Sequence, residues 1–289
     1  MSNTIELAKS FVPKLDECYR LASLTSVLDG APELAKQGAN ANELIIPMMS
    51  MDGLADCSRN GGYVQGGVTM TNETVKCNFD RGRRFDVDVM DDLETAGLAF
   101  GRLSAQFIRD KVVPELDAFR FASYCGISGV TKKEETLADG AATVAALSAA
   151  VTAMDDEEVT ATGRYLFITP TLLQGINDMD TTKSKKVLEG FERVIKVPQR
   201  RFYTAIKQLS GKTGEEAGGY TKAAGAANIN FSIIQKDALI QYTKHAAPKI
   251  IAPENNPDAD AYVFGYRMVG IAKAYKNMLS GMYFSHDQA

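Results

Sequence analysis

The sequence predicts an α+β fold in which a compact body carries a projecting β-hairpin, a long helical spine and an N-terminal arm. Three observations lead there. Strand-type and helix-type segments are mixed without the regular βαβ alternation of a doubly wound parallel sheet. Near the front of the chain, a polar stretch at 52–67 with five glycines separates two extended runs. Behind it, one helical hydrophobic pattern runs for ~34 residues, about 50 Å at ~1.5 Å per residue, which is long for a compact small domain.

The totals bound the rest. At 289 residues the chain exceeds a typical single domain, so one large or two smaller units are expected. A composition of 45% hydrophobic and 24% charged residues supplies a sizeable core and excludes bulk disorder. The formal net charge is −4 and no Lys/Arg stripe stands out, which argues against tight nucleic-acid binding. Cys18, Cys57, Cys77 and Cys125 are scattered and only two histidines are present, so the clustered ligands of a zinc site are missing. Scattered thiols suit a reducing cytoplasm. The N-terminus MSNTIELAKSFVPKL is amphipathic and lacks the apolar centre of a signal peptide. No apolar run approaches the ~18 residues of a membrane span.

Residues 4–28 carry Ile5, Ala8, Phe11, Val12, Leu15, Tyr19 and Ala22 at helical spacing, with Thr4 as N-cap and a break at Pro13. The small, turn-rich segment 29–43 makes the front end an arm. Leu44–Met49 reads as a strand that Pro47 confines to an edge or a strand start. Asn60-Gly61 signals a turn, and 68–79 returns as a second strand. Residues 83–89 alternate, with Phe85, Val87 and Val89 on one face. Two strands alone bury too little surface to be stable in water, so the 44–84 hairpin needs cover from elsewhere.

Asp91-Asp92-Leu93-Glu94 has the pattern of a helix start. The helix continues through Phe100, Phe107, Val112, Leu116 and Phe119 to about Cys125, with a kink near Asp110 because Pro114 crowds its carbonyl. A second helix spans 139–154, with Val144, Leu147, Val151 and Met154 on one face. A buried-type strand at Arg164–Thr169 is stopped by Pro170, and helices follow at 171–178 and around Val187, Leu188 and Phe191. The Gly-rich 210–227 segment reads as a mobile loop. Strands are expected at 229–234 and 262–272, a helix at 236–242, and a sheet-closing strand at 279–284.

Candidate chemistry is thin. Ser210-Gly211-Lys212-Thr213 ends like a phosphate-binding loop, but Ile206 stands where the full pattern needs glycine. His245, beside Lys244, reads as a surface residue, and His286 lies four residues from the end. The pairs Asp91-Asp92, Asp155-Asp156 and Glu157-Glu158 fall at helix ends or turns, where solvated carboxylates are routine. Cys57 and Cys77 could face one another across the hairpin only in a suitable register, and we expect free thiols. Lys76 reads as an ordinary exposed lysine. The expectation is therefore no catalytic residue, no cofactor and no metal.

The order of elements, together with ELIIPMMSM (43–51), FDRGRRFDVDVM (79–90), VVPELDAFRFA (112–122), GRYLFITPTLL (163–173), RVIKVPQRRFYTA (193–205) and AAPKIIAP (246–253), resembles the major capsid proteins of tailed bacteriophages with the HK97-type fold. The resemblance covers essentially the whole chain. It implies an N-terminal arm at 1–43, an E-loop hairpin at 44–84, a peripheral (P) domain at 85–135 and 246–289, and an axial (A) domain at 136–245. It also implies self-assembly as hexamers and pentamers into an icosahedral virion shell, built in the bacterial cytoplasm. Such a shell encloses double-stranded DNA without sequence-specific binding and involves no membrane. Some relatives carry a long N-terminal scaffolding segment. Here the arm begins within a few residues of Met1, so a separate scaffolding protein is expected, beside a portal and a possible decoration protein. The lysine–asparagine cross-link of the founding member has no match, and none is expected. The alternatives are an encapsulin-like compartment shell and a cytosolic α+β enzyme using Lys212 on a nucleotide.

Overall fold

The computed structural model describes residues 23–30, 36–37, 43–56, 63–89, 105–179 and 182–288. The predicted helix start at 91–94, the Asn60-Gly61 turn, Cys18, Cys57 and most of the arm lie outside them. Among the described residues no helix is long and apolar enough to cross a membrane.

Strands β1 (Lys36–Gln37), β2 (Glu43–Met51) and β3 (Val68–Lys76) form an antiparallel sheet in that order. The β2–β3 ladder runs from Glu43↔Lys76 to Met51↔Val68. β1 pairs only with Leu44 and Ile45, so Pro47 falls at an outer edge that this strand leaves uncovered, the position a residue without an N–H tolerates. The second strand stops at Lys76. Asn78 then uses its side-chain amide to bond both backbone groups of Ala272, each at 2.9 Å, where the chain passes from one sheet to the next.

β4 (Phe79–Asp88) alternates as expected, with Phe79, Phe85 and Val87 turned inward. The described part of the spine begins at Ala105 and widens into a π-helical turn at Ile108–Val112 before α1 (Val113–Gly126). Pro114 has no N–H and crowds the carbonyl of Asp110, so the disturbance predicted near Asp110 takes the form of this turn.

β5 (Thr131–Glu134) leads to α2 (Gly140–Asp156), whose N-cap Asp139 accepts the Ala142 N–H at 2.7 Å. The face of α2 that is fully buried includes Ala146, Leu147, Ala150 and Met154, while Val144 and Val151 lie at its margin. Small residues let the helix sit close to its neighbours. A Cβ on Gly140 would lie 2.2 Å from the Gly175 carbonyl of the next helix. The chain continues through β6 (Arg164–Ile168), α3 (Pro170–Asp178), α4 (Thr182–Glu189), β7 (Arg193–Lys196), β8 (Ile206–Gln208), β9 (Tyr220–Lys222), β10 (Ile229–Gln235), β11 (Leu239–Ile251), β12 (Ala261–Ala274) and β13 (Met282–His286).

Two sheets form the body. The five-stranded sheet has the order β5-β13-β10-β6-β7, with β10 antiparallel to both neighbours. α1 covers one face through Phe121 and Tyr124, against Phe167, Phe202 and Phe284. α2 to α4 cover the other, over Leu166, Ile168 and Phe231. Covered on both faces, β10 is buried at every position, including the polar Asn230, Ser232 and Gln235. The second sheet, β11-β12-β4, packs on the spine through Phe264, Tyr266 and Met268 against Ile108, Val113 and Leu116. Its close spacing requires Gly82, where a Cβ would lie 2.7 Å from the Tyr266 carbonyl.

Two expectations are overturned. The helix expected at 236–242 is a single tight turn, Lys236–Ala238, followed by the 13-residue strand β11. Ile240, Tyr242 and Thr243 suit a strand, and pairing from Leu239↔Ala274 to Ile251↔Val263 holds them extended. The 210–227 segment is not loop throughout, because it contains β9. It closes the β8–β9 pair and is pinned from outside by two arginines.

Candidate assembly surfaces

The 210–213 segment turns on itself: the Ser210 N–H is taken by Glu215 at 2.7 Å and the Gly214 N–H by Glu216 at 2.8 Å. Backbone donors that would cradle a phosphate are thus occupied by the loop's own carboxylates. The Lys207 ammonium and the Ser210 N–H hold the Glu215 carboxyl down at about 2. Asp155 pairs with Arg164 at 2.7 Å at the end of α2. His286 meets the Asp287 carbonyl at 2.8 Å, whereas the His245 side chain lies outside the description. Cys77 is half-buried, and Lys76 is exposed. No group of His, Cys, Asp and Glu suited to a metal occurs among the described residues.

What the molecule does present is unpartnered surface. At the far end of the hairpin Met49, Met51, Leu54, Tyr63, Val64, Val68 and Met70 are all exposed, from 59% for Met49 to full exposure at Leu54. At the root of the same hairpin Val75 is only 3% exposed. A contiguous apolar end on an otherwise polar arm is the mark of a contact surface. The end is ordered by Asp52, whose carboxylate accepts the Gly67 N–H at 2.7 Å.

The inner end of the arm is fixed by a buried polar hub that sequence reading misses. Asp117 of α1 is wholly buried and accepts from Ser23 Oγ (2.9 Å), Thr25 Oγ1 (2.7 Å), the Leu24 N–H (3.1 Å) and Arg201 Nη1 (3.2 Å). One turn on, Arg120 donates to Thr25 Oγ1 at 2.8 Å and to Asp29 and Thr243 at 3.3 Å. Gln241 adds bonds to the Thr25 carbonyl and Asp29, and receives the Tyr124 hydroxyl at 2.6 Å. The charges of Asp117 and Arg120 are therefore buried in paired form, which is what keeps such burial tolerable. The hub joins arm root, spine, second sheet and the 198–202 segment at one point. The one sequence signal is an acid and a base at i, i+3 inside an otherwise apolar helical run.

A third surface is a cleft of about 1410 Å³ between β4, the π-helical turn and the 198–222 segment. Arg81 spans it, donating to Glu115 and the Leu209 carbonyl at 2.8 Å each and to the Gly219 carbonyl at 3.2 Å. Arg83 donates to the Glu216 carbonyl at 2.8 Å. Burial pushes the Glu115 carboxyl above its ordinary range against the opposing pull of Arg81. Burial also raises the Tyr220 hydroxyl, which donates to the Arg200 carbonyl at 2.8 Å. The walls hold seven Lys/Arg against three Asp/Glu, a local excess of positive charge on a protein of net charge −4.

No protein-family model matches the sequence, and no curated protein matches it. Solved structures do. The virus-like particle from Pyrococcus furiosus is similar over 96% of this chain and 98% of its own, with TM-score 0.60 and 10% identity. The capsid of cyanophage P-SCSP1u matches over 87% of this chain and 85% of its own, with TM-score 0.56 and 11% identity. The capsid of the Myoviridae phage XM1 matches over 85% and 86%, with TM-score 0.51 and 8% identity. At such low identity the likeness speaks for the fold, and it spans hairpin, spine and body together. This chain therefore has an α+β fold of the HK97 capsid type, as its sequence motifs lead one to expect.

Proposed function

We propose that this chain is the major shell subunit of a tailed-phage head, assembling as hexamers and pentamers into an icosahedral particle around double-stranded DNA. The observation that carries the reading is the apolar end of the hairpin. It is exposed in the single chain, and the chain's likeness to capsid subunits extends over nearly its whole length. On this reading residues 1–43 form the arm, 44–84 the E-loop, 85–135 with 246–289 the P-domain and 136–245 the A-domain. β5 and β13 then tie the two domains through one sheet. A separate scaffolding protein and a portal are the partners assembly needs, and a decoration protein is a further candidate. The subunit works by shape and summed contacts, without catalysis or cofactor.

Electron microscopy of the purified protein, alone and with its scaffold, tests this. Closed shells are expected, and a persistent monomer in both conditions would refute it. The likeness to the Pyrococcus furiosus particle favours a second reading, an encapsulin-like compartment shell. Copurifying nucleic acid with a portal supports the phage head, and a protein cargo supports the compartment.

A further inference from the structure

We propose that the cationic cleft is a binding site for a compact, phosphate-rich anion of the size of a nucleoside triphosphate, a role beyond the shell reading and independent of it. All three carboxylates in the walls are engaged: Asp80 by Arg267, Asp110 by Arg109 and Glu115 by Arg81. Arg201 is held by Asp117. Arg83, Lys111, Arg200 and Lys222 have no carboxylate partner among the described residues. They come from β4, the π-helical turn, the 198–202 segment and β9, so the fold gathers four like charges into one concavity against their mutual repulsion. Acids close by do not compensate them. The Glu216 carbonyl accepts from Arg83 at 2.8 Å, while its carboxylate takes the Gly214 N–H at 2.8 Å. Glu215 is held by Lys207 and the Ser210 N–H. Arg83 is also fixed in place, because a Cβ on Gly218 would lie 2.9 Å from its Nη1 and one on Gly211 3.1 Å. Its guanidinium is thus seated on two glycines and bonded to a neutral acceptor.

Charges of one sign in a concave wall focus their field on whatever enters. Guanidinium forks match the oxygens of phosphate. A short phosphate chain concentrates several negative charges in that space, whereas an acidic peptide spreads its charges over several residues. At about 1410 Å³ the cleft exceeds the ~300–1,000 Å³ of most small-molecule sites, so a nucleotide enters with part of its water. Half-buried rings stand beside the cations: Phe107 on one wall, and Tyr203, with the Lys222 ammonium 5.6 Å from its centre. The phosphate chain is the shared chemistry. Inorganic oligophosphate and nucleotide are its two sources, and contact of a base with these rings separates them.

Calorimetric titration of the unassembled full chain with magnesium-free ATP and with tripolyphosphate tests this. One site per chain is expected at low salt, with affinity falling as salt rises. ATP binding about tenfold tighter than tripolyphosphate identifies a nucleotide site with a stacked base, and ATP binding no tighter identifies an oligophosphate site. Lys111→Gln with Arg200→Gln should weaken both ligands at least about tenfold through lost charge-assisted bonds, with melting of the free chain unchanged. Arg200→Lys, which keeps the charge but not the fork, should weaken them less. Lys132→Gln, on the exposed strand β5 outside the cleft walls, should leave both affinities as they were. Absence of binding at millimolar concentration overturns the inference, as does full affinity in the double variant or equal weakening by Lys132→Gln. An aspartate-rich peptide bound as tightly, or a single-stranded oligonucleotide bound where neither small anion is, overturns it as well. Each of these results leaves the formation of closed shells, and so the shell reading, untouched.

Discussion

The hairpin β2–β3 and the central strand β10 both carry large apolar side chains, yet they stand in opposite situations. Every residue of β10 is buried, between α1 on one side and α2 to α4 on the other. The outer hairpin shows its methionines, Leu54 and Tyr63 to water. Similar side chains are covered by their own chain in one case and left exposed by it in the other. The difference shows that apolar content does not locate a core. What matters is whether helices of the same chain are within reach, and beyond Met49 none is found among the described residues.

That contrast can be broken by substitution. Phe231→Ala should cost about 3–5 kcal/mol of monomer stability, because the cavity opens beneath three helices; chemical denaturation of the monomer measures it. Asp117→Asn should cost about 1.5–3 kcal/mol through lost charge-assisted bonds to Arg201 and the arm root, and amide exchange should rise at 24–29. Asp139→Ala removes the α2 cap and should cost about 1 kcal/mol. A gentler probe is pH. The Glu215 carboxyl is held at about 2, below its ordinary value of 4.5, so its contribution to the loop is complete above 4.5 and disappears as pH falls through about 2. A carboxyl-carbon NMR titration should therefore show Glu215 still ionised at about pH 3, well below the usual carboxylate range. The smallest expected effect on the monomer is that of Met49, Met51 and Met70 all changed to Ser, within about 0.5 kcal/mol. If this variant melts several degrees lower, the hairpin end is covered by its own chain and the comparison fails.

Much of the fold is legible in the sequence because it is local. The strands at β2, β6, β10, β12 and β13 announce themselves by short apolar runs bounded by turns, and Pro114 marks the π-helical turn. β11 reads wrongly as a helix because Lys236-Asp237-Ala238 does form a local helical turn, and only pairing with β12 makes the following residues extended. The hub is hidden because Asp117 meets partners more than 80 residues away on either side. The cleft is hidden for the same reason: its cations come from 81–83, 109–111, 200–201 and 222, four segments that only the folded chain brings together. Projecting surface can be inferred from a sequence by what it lacks, whereas a cleft built from distant segments cannot.

The strand order β5-β13-β10-β6-β7 has a consequence for synthesis. Its second member is the last of the described strands to leave the ribosome, so a growing polypeptide carries a slot between β5 and β10 until residues 282–286 emerge. Prematurely terminated products would keep that gap open and lack a finished body. The five-stranded sheet is therefore completed only once residues 282–286 have been made.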